Sequence, residues 1–124
     1  FANNLRDLSE SIAAFWEDIG AYQDKVNLMT MTEFGRTVKE NGTGGTDHGR
    51  GSCLFVLGKD VDGQKIHGNV PVLAKENLED GRDLPVTTDF RSIFSEVTES
   101  TFGIKNDKEL FPGWDGKEMK LFKS

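Results

Sequence analysis

Val26-Asn27-Leu28-Met29-Thr30-Met31-Thr32 is the stretch whose reading decides the fold. In an extended chain Val26, Leu28, Thr30 and Thr32 share one face, while Met29 and Met31 make the other face apolar too. Strands apolar on both faces belong in sheets covered by helices on both sides. The preceding segment supplies such a helix. Leu5, Leu8, Ile12, Phe15, Trp16 and Ile19 recur at three- and four-residue steps, which predicts an amphipathic helix over 3–19. Asn3 or Asn4 is placed to cap its start, and Gly20 to end it. A helix feeding a doubly covered strand predicts an α/β fold.

Downstream, six glycines punctuate residues 35–52. That pattern predicts a long loop with a short helical turn near Arg36 to Glu40, and a loop of this length is uncommon unless it is functional. Cys53 to Leu57 reads as a second buried strand stopped by Gly58, with Cys53 as a small buried hydrophobe. Asp62-Gly63 predicts a tight turn and a β-hairpin over 60–68. Thr87 or Thr88 is expected to cap a last helix with Phe90, Ile93, Phe94 and Val97 on one face, closed by Phe102 and Gly103. The tail from Lys105 has no clear period and is expected to drape over the surface.

The chain has 124 residues, 35% hydrophobic and 29% charged, with nine Phe and two Trp, which is enough for one modest core. Its net charge is −6, with no basic stripe, which argues against nucleic-acid binding. No apolar run approaches the ~20 residues of a membrane span. A lone cysteine cannot form an intrachain disulfide. The first residues, Phe1-Ala2-Asn3, lack an initiator Met and suggest a processed or truncated product.

Chemistry-bearing residues concentrate in Thr32-Glu33-Phe34-Gly35-Arg36-Thr37 and Gly44-Gly45-Thr46-Asp47-His48-Gly49-Arg50. The first follows a strand end, where ligands bind in open α/β sheets. An adjacent Asp-His pair can offer an oxygen and an imidazole to metal ions, and the planar fork of Arg36 suits a phosphate or sulfate. Residue types alone favour a plainer reading, with Asp47 as a loop-former and His48 as a satisfied loop histidine. His67 reads as a solvent-facing strand histidine. Arg82 and Asp83 are expected to pair or to shape a turn, and Trp114 to pack.

Four motifs in order, Thr32 to Thr37, Asn41 to Gly49, Asp80 to Leu84 and Val86 to Arg91, resemble the C-terminal half of the bacterial family called domain of unknown function 1501. That family is similar to the alkaline-phosphatase superfamily, which includes sulfatases and cofactor-independent phosphate mutases. The resemblance implies that residues 1–104 are the C-terminal part of an alkaline-phosphatase-like sheet flanked by helices, with a β-hairpin insertion, and that 105–124 are a tail packing on it. The mutase branch has an Asp-His-Gly motif, then Gly-Thr-Asp-His before a strand, then a Thr/Ala-Asp-Ile/Val helix start and a Phe-Gly helix end. This chain follows that order with Glu33-Phe34-Gly35, Gly45-Thr46-Asp47-His48, Thr88-Asp89-Phe90 and Phe102-Gly103.

By this resemblance His48 matches a metal-ligand histidine. Glu33 replaces an aspartate ligand, and Phe34 replaces a histidine and cannot ligate. Asp47 either ligates or holds the loop and orients His48, and Arg36 either clamps the substrate anion or pairs with a neighbouring acid. The implied cofactor is a divalent metal (zinc, manganese or calcium). The nucleophile is expected outside this chain, in the remainder of the same polypeptide, and the substrate is expected to be a small phosphate or sulfate ester. The resemblance also implies export or a periplasmic location. The chain is then a piece of a metal-dependent ester hydrolase, inactive alone. The rival is a non-catalytic relative that serves as a binding or assembly module.

Overall fold

The computed structural model describes residues 1–105, 107–114 and 116–123. Helix α1 spans Ala2–Asp18 and runs directly into a 3-10 helix, Gly20–Lys25. The apolar period of the sequence is thus realised as a helix. Its start has no side-chain cap; Phe1 occupies the capping position, and neither Asn3 nor Asn4 does. Gly20 continues into the tighter helix at φ +39° instead of ending the chain's helical course. No residue of α1 is buried, and Leu5, Leu8 and Phe15 keep 43–48% of their surface exposed.

The two expected strands exist only in short form. β1 (Leu28–Met29) and β4 (Val56–Leu57) pair antiparallel, with Leu28 opposite Leu57 and Met29 opposite Val56. Thr30 prolongs the contact. Its N–H donates to the Phe55 carbonyl at 3.0 Å, and its hydroxyl accepts from Phe55 N–H at 2.9 Å. Cys53 is exposed and not a core residue, and Phe55 is half exposed. Between them lie β2 (Gly35–Arg36) and β3 (His48–Gly49), a second antiparallel pair. The architecture is therefore mixed helix and small antiparallel sheets, α/β in the general sense. The expected helical turn at Arg36 to Glu40 is replaced by β2 and by a bridge from Thr37 to Asp83.

Helix α2 spans Phe90–Phe102. Its cap is Asp89, one residue beyond the expected threonines, and its carboxylate accepts from Arg91 N–H at 3.0 Å. Thr87 instead donates its hydroxyl to the Asn69 carbonyl at 2.8 Å. Gly103 closes the helix in the left-handed conformation its φ of +67° requires. Phe90 and Phe94 meet edge-on at 5.3 Å and join Phe111 and Trp114 in an aromatic cluster, so Trp114 packs as expected. A short helix α3, Asp107–Leu110, precedes Phe111.

The described part of the tail is tied down as a strap. Leu121, 5% exposed, is the one buried hydrophobic residue among those described. The Glu96 carboxylate of α2 accepts from three successive backbone N–H groups, those of Met119, Lys120 (3.1 Å) and Leu121 (2.7 Å). Beyond it, Phe122 bridges Val61, Asp62 N–H donates to the Leu121 carbonyl at 2.8 Å, and Lys123 N–H donates to the Asp60 carbonyl at 2.8 Å. This strap occupies the backbone that the expected 60–68 hairpin would have used, and no such hairpin forms among the described residues. His67 is half-buried instead of lying on a strand, with Nε2 3.1 Å from the Asp62 carbonyl.

The accessible surface is 9287 Å², whereas a compact monomer of 13.8 kDa exposes about 6,600 Å². Exposed apolar side chains are spread along the chain, from Leu5, Leu8 and Phe15 of α1 to Met31, Ile66, Val70, Val72 and Phe102. No helix among the described residues is long and apolar enough to cross a membrane.

Glu96→Ala is expected to lower stability by about 1–3 kcal/mol, since charge-assisted hydrogen bonds are lost and N–H groups left unpaired. Hydrogen exchange should accelerate selectively at residues 119–121. Gly63→Ala should change stability by less than about 0.5 kcal/mol, because Gly63 is at negative φ and a Cβ there meets nothing closer than 3.9 Å. The Arg91 hydrogen bond holds the Asp89 carboxyl below its ordinary value of 3.8 against the opposing effect of desolvation. A depressed folded-state pKa means that this contribution is complete above the unfolded value and is lost as pH falls through the folded one. The stability gap between wild type and Asp89→Ala, about 1 kcal/mol at neutral pH, should therefore shrink as pH falls through and below the ordinary carboxylate range.

Candidate functional site

The glycine-laden segment is a hairpin of closely apposed backbones. A Cβ on Gly49 would lie 2.6 Å from the Arg36 carbonyl carbon, and one on Gly51 2.6 Å from the Leu84 carbonyl oxygen. Only glycine permits this approach. It brings three segments into one platform. Arg36 N–H donates to the Gly51 carbonyl at 3.0 Å, Gly51 N–H to the Leu84 carbonyl at 2.8 Å, and Val38 N–H to the Arg82 carbonyl at 3.0 Å.

The register places Arg36 directly opposite His48 and Gly35 opposite Gly49. Opposed residues of an antiparallel pair project to the same face, and diagonal neighbours two residues on share it. Phe34 is that diagonal neighbour. Its ring stacks on the His48 imidazole with centroids 4.4 Å apart and planes 8° from parallel. Arg36 Nη1 donates to the Thr46 carbonyl at 3.0 Å, which holds the guanidinium beside the hairpin while it stays exposed. One exposed face therefore presents a guanidinium and an imidazole side by side.

Asn41 organises the loop between the strands. Its Oδ1 accepts from Thr43 N–H (3.1 Å), the Thr43 hydroxyl (2.9 Å) and Gly45 N–H (3.1 Å), and its Nδ2 donates to Asp47 Oδ1 at 3.0 Å. Thr37 holds the other end. Its N–H donates to the Asp47 carbonyl at 3.1 Å and its hydroxyl accepts from Asp47 N–H at 3.2 Å. Asp47 thus makes the loop-holding contacts that its residue type suggests. Neither Asn41 nor Thr37 was singled out in the sequence, although Asn before a Gly-X-Gly run is the signature of a side chain that hydrogen-bonds nearby backbone.

Arg82 Nε donates to Asp83 Oδ1 at 2.9 Å, and this bond raises the arginine's pKa above its ordinary value. Asp83 is 5% exposed and also closes a turn with Glu79, so the pair both bonds and shapes a turn. Arg50 pairs with Glu79 across the platform.

A family model for a protein of unknown function, domain of unknown function 1501, matches residues 1–112. The chain belongs to the domain of unknown function 1501 family. No curated protein and no solved structure matches it. The family match takes in the hairpin, its platform and α2, while the strap residues 119–123 lie beyond it.

Among the described residues no three of His, Cys, Asp and Glu are grouped as a metal site would need. Glu33 is exposed, Asp47 is bonded to Asn41, and one ring face of His48 is covered by Phe34. These residues do not make a closed ligand set by themselves.

Gly49→Ala is expected to disrupt the hairpin, with a loss of at least about 2 kcal/mol in thermal or denaturant unfolding. Asn41→Ala should cost about 1–3 kcal/mol, because the backbone groups its side chain satisfies lose their partner. It should also release the His48 ring from its fixed environment, seen as narrowing of the imidazole NMR shift toward the random-coil position.

Proposed function

We propose that the chain contributes an anion-binding edge to a metal-dependent hydrolase of phosphate or sulfate esters, of which it forms a part. The observation that carries this reading is the cross-strand placement of Arg36 opposite His48 on one exposed face. A guanidinium binds a tetrahedral oxyanion through two parallel N–H groups. An imidazole beside it donates a further hydrogen bond when protonated, or uses a ring nitrogen as a ligand when neutral. The order of motifs from Glu33 through Gly103 supports the same reading.

On this reading His48, with Glu33 and Asp47, supplies part of a ligand set for zinc, manganese or calcium. The remaining ligands and the nucleophile come from the rest of the same polypeptide. The 9287 Å² surface and the open apolar face of α1 support a chain that packs against further protein. The reading also carries an exported or periplasmic location.

A second reading, a non-catalytic relative that binds or assembles, is favoured by one observation. Phe34 stands where the related enzymes place a histidine ligand, and it is stacked on His48.

Hydrolysis of p-nitrophenyl phosphate and p-nitrophenyl sulfate by the longest natural polypeptide containing this chain separates the two. The hydrolase reading expects metal-dependent turnover, loss of metal on His48→Ala, and a rise of about tenfold or more in KM on Arg36→Ala as charge-assisted hydrogen bonds are removed. Absence of turnover with every metal tested, and an unchanged metal content in His48→Ala, would leave the binding module.

A further inference from the structure

Asn41 is the one asparagine of the chain that is followed by glycine. An asparagine carboxamide is open to attack by the backbone nitrogen of the next residue, and glycine puts no side chain in the way. The loop adds to this what the dipeptide alone lacks. Thr43 N–H (3.1 Å), the Thr43 hydroxyl (2.9 Å) and Gly45 N–H (3.1 Å) all donate to Asn41 Oδ1. Donors already aimed at an oxygen stabilise the negative charge that develops there when the carbonyl carbon is attacked.

The nucleophile is also available. Gly42 is exposed, and its N–H donates to no acceptor among the described residues. The bond from Thr43 N–H to Oδ1 spans the Asn41–Gly42 peptide, so the carboxamide is folded back over the nitrogen that would attack it. Thr43 and Gly44 are exposed as well, which leaves the loop open to water.

We propose that Asn41 is a modification site, converted to aspartate and isoaspartate by its own loop. Gly42 N loses its proton to hydroxide and bonds to Asn41 Cγ. The Cγ–Nδ2 bond breaks, the nitrogen takes a proton from water and leaves as ammonia, and a cyclic succinimide remains. Water then adds to either carbonyl carbon of the ring and opens it, leaving a carboxylate. Asn41 Nδ2 donates to Asp47 Oδ1 at 3.0 Å. In the aspartate product an acceptor replaces that donor, and two like charges face each other. The isoaspartate product lengthens the backbone at the same point. Either way the loop that carries His48 loses a tie. The effect on anion binding rests on the reading of the Arg36–His48 edge given above; the conversion itself does not.

Incubation of the protein at mildly alkaline pH, with its proteolytic peptides followed by mass spectrometry, tests the proposal beside a synthetic peptide of residues 38–46. Conversion of Asn41 is expected to run about tenfold or more faster in the folded protein than in the peptide, because only the fold supplies the donors. Asn69 and Asn77, followed by valine and leucine, should stay unchanged in the same digest. Thr43→Val keeps the side-chain shape, removes one donor and should slow conversion about tenfold or more. Gly42→Ala should slow it by a similar factor with the fold intact, since Gly42 is not at positive φ and a Cβ there meets nothing within 4 Å. Conversion no faster than in the free peptide, or a rate unmoved in Thr43→Val, would overturn it.

Discussion

The near-contact of bare glycine backbones at Gly49 and Gly51 with the Arg36 and Leu84 peptide groups is the constraint on which the rest of the site depends. A side chain at either position would force the strands apart. With the backbones together, the register is set, and a one-residue slip would send every side chain to the opposite face. Arg36 is then held opposite His48, Phe34 lies on the imidazole, and Asn41 and Thr37 tie down the connecting loop. The site's chemistry follows from a packing condition that involves no charged group.

The strap acts on a different scale. Three backbone N–H groups converge on Glu96, and the chain then pairs with the segment around Val61. This joins α2 to the part of the chain that follows β4, and it buries Leu121. Elsewhere apolar residues are only partly covered: no residue of α1 is fully buried, Ile12 and Trp16 are half-buried, and β1 and β4 pair only with each other. Hydrophobic burial, the dominant favourable term in folding, is therefore underused within this chain. Hydrogen bonding to Glu96 and within the glycine hairpin carries an unusual share of its tertiary order.

Local signals were legible in the sequence and long-range ones were not. The apolar period of α1, the start of α2 within two residues of the expected threonines, and the glycine end at Gly103 all depend on neighbours in the chain. Asp62-Gly63 failed as a hairpin signal because Val61 has a partner sixty-one residues away in Phe122. Cys53 and Phe55 read as buried because their run is apolar, yet burial requires a covering layer that this chain does not place there. The six glycines of 35–52 predict a long loop, and three of them, Gly35, Gly49 and Gly51, serve instead to let backbones touch. Arg36 and His48 were recognisable from their motifs; the contacts that hold them, through Asn41, Thr37 and the Thr46 carbonyl, were not.

The central claim is that Arg36 and His48 act together on one oxyanion. A double-mutant cycle on the binding of inorganic phosphate, with Arg36→Ala, His48→Ala and the double variant, measures this most directly. The account requires a coupling of at least about 0.5 kcal/mol between the two residues. Strictly additive losses, or phosphate binding untouched by either substitution, would contradict it.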